Sequence, residues 1–102
     1  PKIYVVNKGC HDFSAATKHG RIEFLSEGLF NRFSTSKMYR TFKNTIKRSR
    51  KSDYIVISGL TVMTAIFCSM FAKKHGRLNL LLHSNSNGED FYVKRVLVLE
   101  DL

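Results

Sequence analysis

The run Tyr54-Ile55-Val56-Ile57 constrains this chain most, because it is a nearly unbroken series of apolar β-formers between two helix-forming stretches. A strand with one wet face alternates apolar with polar residues, whereas a continuous run belongs to a strand covered on both faces. Covering both faces takes helices packed on a sheet, so an α/β arrangement follows.

Four further segments read as strands. Ile3-Tyr4-Val5-Val6 is compact and ends at Asn7-Lys8-Gly9, while Arg21 to Leu25 alternates like a half-exposed strand. Leu78 to Leu82 and Tyr92 to Leu99 complete the set. Three helices fit between them. A short one spans Phe13 to Lys18 with Asp12 as N-cap, and a second runs from about Thr35 to Arg50, starting near Ser34. The third begins after Gly59 and ends at Lys73-Lys74-His75, with Gly76 as a left-handed C-cap and the lysine pair complementing the helix dipole.

The words Lys18-His19-Gly20-Arg21 and Lys74-His75-Gly76-Arg77 each leave a helix and enter a strand. They mark either a repeated βαβ unit or one turn solved twice by similar chemistry, and both readings imply parallel strands. The expected fold is therefore a single-domain, Rossmann-like α/β structure, βαβαβαββ, with four mostly parallel strands and three helices. The last strand should be an antiparallel edge, since Ser84 to Asp90 reads as a polar turn loop centred on Asn87-Gly88.

At 102 residues, with 43% hydrophobic content and one proline, the chain fits one globular domain. Cys10 and Cys68 lack C-x-x-C spacing, which suits a reducing compartment. The opening Pro1-Lys2-Ile3-Tyr4 shows no secretory pattern, its proline suggests a removed start Met, and Leu60 to Ala72 is too short for a bilayer. A cytoplasmic protein without membrane partners is expected. In the third helix Val62, Met63, Ile66, Phe67, Met70 and Phe71 cover most of the circumference. Core burial explains them first, and a homodimer over residues 60–74 is the alternative.

Charge is the strongest functional signal: seventeen basic against eight acidic residues give +9. In the second helix Met38, Tyr39, Phe42 and Ile46 fall on one arc. Arg40, Lys43, Lys47, Arg48, Arg50 and Lys51 fall on the other side, and no acidic residue occurs from Gly28 through Ser52. A solvated helix normally mixes signs, so this face points to nucleic acid or another polyanion, with a plain solvated face or an acidic protein partner as alternatives. No helix-turn-helix, zinc-finger or RNP pattern adds base readout.

The second candidate is the rim at the carboxyl ends of the parallel strands, where open α/β sheets place ligands. It comprises Asn7, Gly9, His11 and Asp12 after the first strand, Ser58, Gly59 and Thr61 after the third, and His83 and Asn85 after the fourth. Neither glycine turn matches a dinucleotide or Walker A pattern. Cys10, His11, Asp12 and His83 superficially suggest nucleophilic or metal chemistry, yet adjacent loop side chains rarely converge and no i, i+4 His pair exists. No catalytic residue, metal or cofactor is therefore assigned.

Finally, the words Val6-Asn7-Lys8-Gly9-Cys10-His11-Asp12-Phe13, Ser26-Glu27-Gly28-Leu29-Phe30-Asn31-Arg32-Phe33 and Lys74-His75-Gly76-Arg77-Leu78-Asn79 resemble small uncharacterised bacteriophage-encoded α/β accessory proteins. That resemblance implies a protein of the host cytoplasm that binds a host or viral component, and favours a binder over an enzyme. The leading expectation is a non-enzymatic protein that binds nucleic acid through its basic helix. The alternatives are a nucleotide-binding module using the rim, or an inhibitor docking on an acidic host protein.

Overall fold

The computed structural model describes residues 1–58 and 60–102. Gly59, a candidate rim residue, lies outside the described residues. One five-stranded sheet carries the fold: β1 (Lys2–Val5), β2 (Arg21–Phe24), β3 (Tyr54–Val56), β4 (Arg77–Ser86) and β5 (Glu89–Val98), in the order β2-β1-β3-β4-β5. β1 pairs in parallel with β2 and β3, β3 pairs in parallel with β4, and β5 runs antiparallel to β4 at the edge.

Two helices, α1 (Thr35–Arg48) and α2 (Thr61–His75), share one face of the sheet, and a 3-10 helix (Ser14–His19) covers part of the other. Period-two alternation on β1 explains why both faces need cover. Ile3 and Val5 pack with Phe13, Ala16, Val56, Leu81 and Tyr92. Tyr4 and Val6 pack with Ile55 and with Met38, Phe42, Ile46, Met63, Phe67 and Phe71 from the two helices. Phe67 is the hub of the larger cluster, 5.4 Å from both Tyr4 and Phe42 between ring centroids.

The antiparallel pair is longer than the sequence implies. Only Asn87 and Gly88 form the turn, whereas Ser84–Ser86 and Glu89–Asp90 belong to the strands. Both turn residues have positive φ, 53° and 81°, the geometry of a type I′ hairpin whose twist matches the flanking strands.

The helix boundaries also differ. The first helix is a 3-10 helix starting at Ser14, so Asp12 lies one residue too early to be the N-cap. Its Oδ1 still accepts the Ser14 backbone N–H at 2.9 Å, an Asx turn leading into the helix. α1 stops at Arg48 because Ser49 is extended and its hydroxyl donates to the Ile46 carbonyl at 2.7 Å. Arg50 and Lys51 therefore lie beyond the helix and off its basic face.

The twin words end their helices in different ways. Gly76 is left-handed (φ 67°, ψ 17°), whereas Gly20 takes a different positive-φ conformation that essentially only glycine adopts (φ 156°, ψ −172°). A Cβ on Gly20 would collide with the Pro1 carbonyl, and one on Gly76 would meet the Glu100 side chain. Thr61, Ala65, Ser69, Lys73 and Lys74 are the exposed positions of α2, while Met63, Phe67 and Phe71 are buried in the core and Met70 lines the groove beside α1.

Candidate functional site

Burial of Met38, Phe42, Thr45 and Ile46 fixes the rotation of α1 and turns Arg40, Lys43 and Lys47 to solvent. Tyr39 departs from its expected place in the buried arc. It sits at the margin and is 48% exposed, with the Lys43 ammonium 5.9 Å from its ring centroid. Between α1 and α2 a groove of about 540 Å³ is lined by Tyr39, Ile46 and Met70 and carries Lys43, Lys47, Lys73 and Lys74. Its walls are apolar and its rim is cationic.

Lys74 is already engaged. Its Nζ donates to the carbonyl oxygens of Ile46 (2.7 Å), Lys47 (2.7 Å) and Ser49 (3.3 Å), the unsatisfied acceptors at the end of α1. Beside it, Ser49 Oγ lies 2.8 Å from His75 Nε2. The serine proton is committed to Ile46, so the His75 Nε2–H donates to it. Burial, reinforced by the Lys74 charge, holds the His75 pKa below its ordinary value.

Two of the six basic residues singled out from the sequence have partners far along the chain. Arg48 forms a forked pair with Glu23 on β2, at 3.1 and 2.8 Å, and Lys2 shares that carboxylate at 3.1 Å. The Arg48 bond, opposed by burial and helped by Lys2, keeps the Glu23 pKa below the usual carboxylate range. Lys51 pairs with Glu100 at 3.0 Å. Arg50 lines a separate cavity of about 470 Å³ with Pro1, Lys2, Arg21, Arg48 and Asp53.

Asp53 is the polar residue that sequence reasoning missed there. It is 2% exposed and accepts from Lys2 N (2.9 Å), Tyr4 Oη (2.7 Å) and Arg50 N (2.8 Å). Burial pushes its pKa up, but the two backbone donors, the tyrosine hydroxyl and the terminal amine together bring it below the ordinary value. Asn79 donates to the carbonyls of Lys51 and Asp53 and accepts from Arg77 Nε, tying β4 to the α1–β3 connection. The sequence signal for Asp53 was its position, the first acid after the long acid-free stretch.

The strand-end rim converges only in part. Asn7 is buried as a latch: its Nδ2 donates to the Gly28 carbonyl and its Oδ1 accepts from the Gly9 backbone, both at 3.0 Å. Gly9 supplies a positive φ of 51° in that turn. Asn85 and His83 both bond Asp90 Oδ1, at 2.9 and 3.0 Å. Thr61 lines a different cavity, with Phe30, Arg32, Met38 and Met63. His11, Ser58 and His83 do come together, around a crevice of about 270 Å³ that Phe13, Val56, Ile57 and Tyr92 complete. Phe13 and Tyr92 were absent from the expected rim, because nothing local in the sequence ties β5 to the β1 loop.

Both thiols are free; Cys10 is exposed, and burial pushes the Cys68 thiol up to about 11. No group of three or more His, Cys, Asp or Glu among the described residues is arranged to hold a metal ion. No helix among them is long and apolar enough to cross a membrane. No curated protein and no solved structure matches the chain. One family model does, over residues 1–96, in agreement with the bacteriophage resemblance of the sequence words: the chain belongs to the Phage Pam3 gp32-like protein family.

Proposed function

We propose that this protein binds single-stranded nucleic acid in the groove between α1 and α2. The observation that carries the reading is a set of exposed lysines, Lys43, Lys47 and Lys73, beside an apolar floor with a half-exposed tyrosine. None of the three has an acidic partner among the described residues, in contrast to Arg48 and Lys51. Phosphates are drawn to unpaired cations, and binding of this type weakens with salt as counterions are released. Tyr39, Ile46 and Met70 add a surface on which an unpaired base can lie, which a duplex keeps stacked inside. Arg40, one exposed turn along α1, extends the cationic track.

Fluorescence anisotropy with labelled single-stranded DNA, single-stranded RNA and duplex DNA of equal length, at several salt concentrations, tests this. Single strands should bind more tightly than the duplex, and the double variant Lys43→Glu/Lys47→Glu should lose affinity. Its salt slope should flatten by about 0.7 for each phosphate that is no longer neutralised. Tyr39→Ala should lower affinity with the slope intact, since stacking releases no counterion. An unchanged affinity and slope in the double lysine variant would overturn the reading. Capture of an acidic protein that survives nuclease, without oligonucleotide binding, would move the groove to a protein partner.

A further inference from the structure

The path of the chain makes a second site on the opposite side of the sheet. After β1 the chain passes to the 3-10 helix on one face, whereas after β3 it passes to α2 on the other. The carboxyl ends of these adjacent strands thus part, and such a switch point opens a crevice in an α/β sheet. The cavity lined by His11, Ser58, His83 and Tyr92 lies there.

Two features of this crevice are expensive without a ligand. Tyr92 is only 4% exposed, and its hydroxyl has no hydrogen-bond partner among the described residues. The buried Ser58 hydroxyl, on the same cavity, also lacks one. A desolvated hydroxyl left unpaired costs about 1–3 kcal/mol. Flat rings supply the walls: His11 stands 4.7 Å from Phe13 and 5.3 Å from His83, and His83 stands 5.5 Å from Tyr92.

Charge narrows the ligand. Burial first, then the neighbouring Asp90 and Asp12 carboxylates, push the Tyr92 phenol up, so it remains a protonated donor. The same carboxylates repel a phosphate placed among them, in contrast to the lysine groove on the other face. A neutral planar heterocycle with hydrogen-bonding edges fits the ring walls and the two hydroxyls. We infer that the crevice at the β1–β3 switch point is a nucleobase pocket, in which Tyr92 and Ser58 bond the base edge and His11, His83 and Phe13 pack around its ring.

This inference does not rest on nucleic-acid binding by the α1–α2 groove. Its test is isothermal titration of the intact chain with adenosine, guanosine, cytidine and uridine, uncharged probes that the lysine groove has no reason to hold. At least one nucleoside should bind saturably at a single site. Tyr92→Phe should weaken it by about tenfold or more, the loss of one hydrogen bond to a desolvated group. Lys43→Glu/Lys47→Glu should leave it unchanged. Urea unfolding supplies an independent readout, because Tyr92→Phe removes an unpaired hydroxyl and should leave ligand-free stability unchanged or higher. Absence of binding by all four nucleosides, or equal binding by Tyr92→Phe, overturns the pocket, as does marked destabilisation of the ligand-free variant.

Discussion

The ammonium of Lys74, at the end of α2, lies 2.7 Å from the carbonyl oxygens of both Ile46 and Lys47, at the end of α1. A cation from one helix therefore closes the C-terminus of another, satisfying orphan carbonyls and meeting the negative end of the dipole. Lys74→Met keeps most of the aliphatic stem and removes these bonds. It should cost about 1–2 kcal/mol, read as a lower urea midpoint with an unchanged m-value. A midpoint equal to the parent's would show that water replaces the ammonium at no loss.

Asp53 ties three backbone and side-chain donors to the start of β3. Its folded-state pKa is depressed, so its stabilisation is present above the unfolded carboxylate value, about 3.9, and is lost as pH falls through the folded value. Unfolding free energy should thus decline below about pH 5, and Asp53→Asn should remove part of that decline. The substitution should itself cost about 2–3 kcal/mol at neutral pH, since it weakens charge-assisted bonds in a buried site. Parallel pH–stability curves for parent and variant would refute the assignment.

Arg48 and Lys51 belong to the basic segment by sequence but are occupied by Glu23 and Glu100. Arg48→Ala should cost about 0.2–1 kcal/mol, the range for a solvent-screened surface pair, since Lys2 still holds Glu23, and change oligonucleotide affinity far less than Lys43→Glu/Lys47→Glu. Comparable losses from both variants would place the nucleic-acid track further along the segment than the α1–α2 groove.

Gly20 and Gly76 offer a controlled comparison within identical four-residue words. Gly76→Ala meets a flexible Glu100 side chain and the ordinary left-handed penalty of about 1–2 kcal/mol. Gly20→Ala meets the backbone carbonyl of Pro1, which also accepts the Arg21 amide and so cannot retreat without loosening β1 from β2. Thermal unfolding should rank Gly20→Ala as the more damaging of the two, and the reverse order would show that the N-terminal residue yields easily.

The element types were legible because they follow from short-range chemistry. Short runs of apolar β-formers give strands, the Asn87-Gly88 pair gives the hairpin, and Gly76 gives the left-handed stop of α2. The end of α1 was less legible, because Ser49 stops the helix through its own hydroxyl bond where the basic pattern runs on to Lys51. The two identical exit words show the limit more sharply. A four-residue word fixes that the chain turns, while the neighbours Pro1 and Glu100 fix how.

By itself, then, the sequence determined the alternation of strands and helices, the net charge of +9 and the amphipathic division of α1, since each depends on residue type and spacing alone. Only the tertiary structure decided which charges remain free. Glu23 reaches Arg48 across 25 positions and Glu100 reaches Lys51 across 49, and Lys74 turns inward to the carbonyls of α1. It likewise brought Tyr92 of the edge strand beside His11 of the first loop. Strand order sets such pairings, and strand order is a balance of packing over the whole sheet that no local stretch encodes.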